Sequence, residues 1–149
     1  MKLLLSAILI CTFFVLALFH LYWAVGGQFG YNNVLPTNEE GAVLLKPTTI
    51  DGIIVGIGLL LLGLFYVFSL NTPNGRFLIL VRNIGLWVIP IIFALRAIGD
   101  FKYVGFFKQI KSTEFANLDT MFYSPLCIII ALVGFILIKM KNAADATSH

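Results

Sequence analysis

The sequence predicts an all-α polytopic membrane protein, a four-helix transmembrane bundle with both termini cytoplasmic. Four apolar runs, at about residues 3–25, 50–70, 77–98 and 119–140, carry most of that reading. Each reaches or approaches the roughly 20 apolar residues with which an α-helix crosses about 30 Å of hydrocarbon. Composition agrees: 60% hydrophobic against 11% charged residues lies far from the about 45–50% and 25% of soluble domains. Basic residues supply the third observation. With the N-terminus inside, Lys2, Arg76, Arg82, Lys139 and Lys141 fall at the cytoplasmic ends, where Lys and Arg flank membrane spans. The other side receives a mixed set: Glu39, Glu40, Lys46, Asp51, Asp100, Lys102, Lys108, Lys111, Glu114 and Asp119.

These spans leave almost nothing of the 149 residues for a soluble domain. Residues 1–141 read as a single transmembrane domain, and the tail 142–149, NAADATSH, reads as disordered. The net charge of +3 is dispersed along the chain, so it sets topology and gives no nucleic-acid surface.

The first span opens with Met1-Lys2 and a long apolar core. That core exceeds the 7–15 residues typical of a signal peptide and runs into HLYWAVGG without a small-x-small cleavage site, so it reads as a retained helix. The first outer loop, 26–49, carries Gly26, Gly27, Gly30, Pro36 and Pro47, too many breakers for one regular element. It is long enough to fold over the bundle mouth.

In the second span, Gly52, Gly56 and Gly63 form a small-residue stripe that lets a neighbouring helix approach closely. Packing within the chain is the preferred use of that stripe, and homodimerisation is the alternative. The inner loop NTPNGR, with Pro73 and an Asn-Gly pair, makes a tight reversal, so spans two and three read as an antiparallel hairpin. Pro90 should bend the third span.

The second outer loop, 99–118, interleaves Phe101, Tyr103, Phe106, Phe107 and Phe115 with Lys102, Lys108 and Lys111. That pattern suits the membrane interface, with rings at headgroup level and amines in water. The fourth span starts either at Ser124-Pro125, as N-cap and first helical residue, or at Asp119 with a bend caused by the proline. The second start gives a more comfortable span. Cys11 and Cys127 both fall in apolar runs without a partner spacing and read as small packing residues.

Several polar residues need an explanation. Arg96 lies within the third span, where an ionisable side chain costs about 2.5–3.5 kcal/mol at the bilayer centre and less near the interface. Asp100, four residues on, is its expected partner in a local ion pair; the plainer alternative is that Arg96 snorkels outward and Asp100 caps the helix. His20 and Trp23 share a face near the outer end of the first span, and Asp119 and Tyr123 repeat that arrangement on the fourth. The topology brings His20, Trp23, Arg96, Asp100, Asp119 and Tyr123 to one membrane depth. They form the candidate ligand-binding set, with His20 and Asp119 as the candidate acid–base pair and a structural polar plug as the rival reading. No metal site or cofactor is expected, because the possible ligands are scattered.

HLYWAVGG at 20–27, Pro36 and LRAIGDFKYVGFFKQIKSTEFANLDTMFYSPLC at 95–127 resemble a bacterial integral membrane family known as domain of unknown function 3995. The resemblance covers essentially the whole chain and is most specific from Arg96 to Pro125. It implies a four-helix architecture in the bacterial cytoplasmic membrane and picks out His20, Trp23, Arg96, Gly99, Asp100, Asp119, Tyr123, Ser124 and Pro125. It implies no reaction.

Three classes of function stay open. In the first, the chain binds a lipid or another small amphiphile in a polar pocket at the outer end, with Arg96 pairing an anionic group. In the second, it is a membrane enzyme acting on a lipid-like substrate, with Arg96 stabilising developing negative charge. In the third, it is an accessory subunit whose partner is another membrane protein or a second copy. A redox enzyme is disfavoured, since no Cys-x-x-Cys pair is present.

Overall fold

Apolar side chains leave water but gain little from one another in hydrocarbon, so the helices form independently and close packing decides their arrangement. In a computed structural model that describes residues 1–38, 40, 42–71 and 74–147, the chain is all helical apart from loops. Helix α1 (Lys2–Ala24) is followed by a short 3-10 turn (Tyr31–Val34), α2 (Thr49–Ser69) and α3 (Arg76–Ile98). The last crossing is one continuous rod made of α4 (Glu114–Leu118), a π-helical turn (Asp119–Tyr123) and α5 (Ser124–Thr147). Among the described residues, four helical stretches are long and apolar enough to cross a membrane. Their exposed faces are crowded with Leu, Ile, Val and Phe, as a lipid-facing surface requires.

The crossings pair as α1 with α2 and α3 with α5, while α2 and α3 touch sparsely. Spans two and three follow one another across a short loop and touch where Gly85 meets Phe65, but the stronger seams lie elsewhere. Thr72 and Pro73, the proposed reversal, lie outside the described residues. The α1–α2 seam is the glycine stripe. A Cβ added at Gly52 would meet Ala24 Cβ at 3.1 Å, and at Gly56 or Gly63 it would come within 2.8 Å of Leu21 or Phe14. The stripe therefore serves packing within the chain. In the α3–α5 seam Pro90 packs on Gly134, whose added Cβ would lie 2.8 Å from the proline ring.

Between the two pairs lies the apolar core of Leu9, Phe13, Tyr66, Leu86, Ile89, Ile130, Leu137 and Ile138. Phe13 stacks on Tyr66 with ring centroids 5.8 Å apart. Cys127 is buried as expected, but Cys11 is exposed on the outer face of α1 and takes no part in packing. The tail also differs from expectation. No Gly or Pro follows Lys141, so α5 continues through Thr147, and only Ser148 and His149 lie outside the described residues.

Candidate functional site

At the end of the bundle opposite the termini, the chain leaves α3 through Gly99, whose φ of 93° suits only glycine. The next residue then organises the loop. Asp100 Oδ1 accepts the backbone N–H groups of Lys102, Tyr103 and Val104 at 2.9, 2.7 and 2.9 Å. Burial pushes the Asp100 carboxyl upward, but these three N–H donors outweigh it and hold the group below the usual carboxylate range. The loop folds back onto α3, where Phe106 N–H reaches Ala97 O at 2.9 Å and so satisfies a carbonyl the helix end leaves open. Gly105 closes the fold against Gly99, and a Cβ on either glycine would collide with the other strand's backbone.

This collar presents Gly105 and Lys108 to Asp119, which has no exposed surface. Asp119 Oδ1 accepts from Arg96 Nη2 at 3.1 Å; Oδ2 accepts from Gly105 N–H at 2.7 Å and from Lys108 Nζ at 3.0 Å. Lys108 is 2% exposed, and its ammonium spends all three protons, on Asp119, on Gly105 O at 3.0 Å and on Thr120 Oγ1 at 2.6 Å. Two cations face one buried anion. The negative end of the α3 dipole, with Arg96 in its last turn, offsets part of the surplus.

Asp119 reaches this position because the rod carries a π-helical turn. Ser124 N–H bonds to Asp119 O, five residues back, and Pro125, which lacks an N–H, follows at once. Both expected starts of the fourth span are thereby replaced by an earlier one, at Glu114, capped by Thr113 Oγ1 accepting from Ala116 N–H at 3.1 Å.

The six residues singled out in the sequence do not form one pocket. Arg96 and Asp119 form a direct ion pair. The expected Arg96–Asp100 pair is absent, because Asp100 turns into the loop. Trp23 Nε1–H donates to Phe29 O at 2.8 Å, and Tyr123 Oη donates to Asn33 O at 3.3 Å. These two bonds strap the first loop to α1 on one side and to the last rod on the other. His20 rests edge-on against Trp23, with centroids 5.2 Å apart. Among the described residues its imidazole makes no hydrogen bond, and no three of His, Cys, Asp or Glu approach closely enough to hold a metal ion.

The expectation that all three loop lysines extend into water fails at Lys108. Lys102 and Lys111 are exposed, and Lys102 lies 5.1 Å over the Tyr103 ring. Lys108, Thr120 and Gly105 are the site residues that sequence reasoning missed. A signal for Lys108 was present in its apolar neighbours Phe106, Phe107 and Ile110, and in the need of an intramembrane Asp for a cation.

Below the collar, an open groove of about 420 Å³ runs between α3 and α5. Its lining is wholly apolar: Ala94, Ala97 and Ala131 among smaller side chains, with Phe106, Phe107 and Phe135 as the large ones.

The family described as "Protein of unknown function (DUF3995)" matches residues 13–134. The chain belongs to that family. The matched stretch contains every residue of the collar and its ion network, together with the α1–α2 glycine seam. Comparison with curated proteins and with solved structures finds no match to either.

Proposed function

We propose that the chain is a small binding protein of the bacterial cytoplasmic membrane, termini cytoplasmic, that holds the apolar chain of a lipid or a similar amphiphile. One observation carries the reading: the apolar α3–α5 groove is bordered by Phe106 and Phe107, which lie between the two collar residues tied to Asp119. Gly105 and Lys108 cannot move without breaking a buried ion network, so the two rings are held at the groove rather than left to swing. The volume falls within the about 300–1,000 Å³ of small-molecule sites, and the absence of polar lining selects an apolar occupant. Arg96, its side chain 35% exposed, offers a positive charge near the collar for the occupant's polar end.

The enzymatic reading has less support. Asp119 already accepts three donors and has no exposed surface from which to take a substrate proton, which disfavours it as a general base. His20 contacts Trp23 and makes no hydrogen bond to Asp119 among the described residues.

The test is photolabelling in nanodiscs with a fatty acid that carries a diazirine near its methyl end. Labelling should concentrate on α3 and α5 around Ala97 and Ala131, and Leu132→Trp, at an exposed position of the groove lining, should reduce it there without lowering the melting temperature. Uniform labelling of all four helices, unchanged by Leu132→Trp, would leave the groove as ordinary lipid-facing surface.

A further inference from the structure

A second polar layer crosses the opposite end of the bundle, and among the described side chains it holds no acid. The Gly85–Phe65 contact puts Arg82 of α3 level with Ser69 of α2, and Lys2 Nζ reaching Leu70 O at 3.5 Å brings the start of α1 to the same end. Ser6, Ser69 and Arg82 are all buried there. Ser69 Oγ is used on Tyr66 O at 2.9 Å. Arg82 is 6% exposed, its Nε is sealed without a partner, and among the described residues it forms no hydrogen bond or ion pair. Asn83 Oδ1, next along the helix, is a second buried polar atom without a partner.

A guanidinium does not shed its proton, so Arg82 stays charged at this depth. Burying an uncompensated cation is among the most costly things a fold can do. The outer Arg96 meets its acid, whereas Arg82 has no acid in reach among the described residues. Its Nε is closed in, which leaves the terminal nitrogens as the face on which a counter-ion can land. Among the described side chains that flank this end, Lys2, Arg76 and Lys139 are basic, so they attract an anion and cannot supply one.

We infer that this end of the bundle is a receptor for a phosphate-bearing anion, with the Arg82 guanidinium as its principal ligand. Planar, forked N–H donors match phosphate oxygens in pairs, which a lysine does not do. The phosphate comes either from an anionic lipid headgroup of the adjacent leaflet or from a soluble phosphate compound. The site is separate from the collar and from the α3–α5 groove, and it stands whether or not the groove takes a lipid chain.

The experiment uses the full chain in dodecyl maltoside micelles, which carry no phosphate, and reads the melting temperature in two arms, one adding phosphatidylglycerol to the micelles and one adding inorganic pyrophosphate to the buffer. Wild type should melt several degrees higher in one arm, and that arm identifies the source. Arg82→Met should lose the rise, while the exposed-site control Arg76→Gln should keep most of it. Arg82→Met should also melt no lower than wild type in micelles without added lipid, because it removes an unpaired buried charge. If Arg82→Met does not fold, native mass spectrometry of wild type from the mixed micelles decides, with selective retention of phosphatidylglycerol, or of pyrophosphate in the soluble arm, as the expected result. No rise and no retention in either arm, or a rise that Arg82→Met keeps, overturns the inference.

Discussion

Replacing Asp119 by Asn keeps the shape of the side chain and an acceptor for Gly105 N–H, but leaves Lys108 enclosed with its charge uncompensated. Breaking a buried pair by removing one partner costs about 3–5 kcal/mol. Arg96 adds little to that sum, since its side chain is one-third exposed and solvent screens it. The loss is therefore Lys108's, and the lower half of the range is expected because Gly105 O and Thr120 still accept two of its protons. At about 2–4 °C per kcal/mol for a chain of this size, Asp119→Asn should melt roughly 6–16 °C below wild type. Lys108→Met removes the enclosed cation and leaves Asp119 with Arg96 and Gly105, so its cost is smaller, about 1–3 kcal/mol for the hydrogen bonds lost. The double variant has no orphaned charge at that position. A double-mutant cycle should consequently show a coupling of about 1.5–3 kcal/mol, measured by thermal or SDS denaturation in mixed micelles. Additivity within about 0.5 kcal/mol would mean that the two residues are neighbours without being energetically linked, and the collar would lose its anchor.

Other consequences are accessible to the same assays. Gly105→Ala should destabilise more than Gly26→Ala, because both glycines have positive φ but only Gly105 also lacks space for a Cβ; equal losses would reduce the effect to backbone strain alone. Asp100→Ala should raise hydrogen exchange at the amides of Lys102, Tyr103 and Val104 by about fivefold or more, as loss of a cap worth about 1 kcal/mol implies, while Asp100→Asn should nearly preserve protection. Because the Asp100 carboxyl is held below its unfolded value, its contribution is complete above about pH 4 and fades as pH falls through the folded value. Protection of those three amides should accordingly be flat from neutral pH to about pH 5 and weaken only in stronger acid; a loss centred near pH 6–7 would point to another group. Gly56→Leu should separate α1 from α2 and lower melting, whereas Gly58→Leu, whose position faces open space, should not.

The spans were legible because hydrocarbon demands an unbroken apolar run, and the glycine stripe because close helix approach demands small side chains at a fixed spacing. Arg96 and Asp119 stood out for the same reason, as charges inside apolar runs. Their partnership was hidden. The four-residue rule favoured Asp100, but that rule holds only while the backbone stays helical, and Gly99 ends the helix between them. Lys108 was hidden because its burial depends on a loop folding back on α3. Arg82 was read as a topology marker at the helix end, although its spacing with Leu86 and Ile89 places all three on one face, and those two are core residues.

The π-helical turn shows how one backbone irregularity decides which residue becomes the anchor. Buried positions on α5 follow helical spacing, Ser124, Cys127, Ala131 and Ile138, and extending that rhythm backwards through a regular α-helix puts Thr120 or Met121 on the inner face. The π turn inserts one extra residue between Asp119 and Ser124, a rotation of about 100° for everything before it. Asp119 is buried as a result, and Met121 is left among the most exposed residues of the rod. Deleting Phe122, which is itself exposed, removes that extra residue: a regular helix then sets Asp119 four residues before Ser124, on the same inner face, with every member of the network kept. The deletion should therefore cost less stability than Asp119→Asn. Adding Asp119→Asn to it should then cost nearly its full amount again. An addition that costs almost nothing would show that the carboxylate loses its partners when the π turn goes, and that the irregularity does more than set the phase of the residues before it.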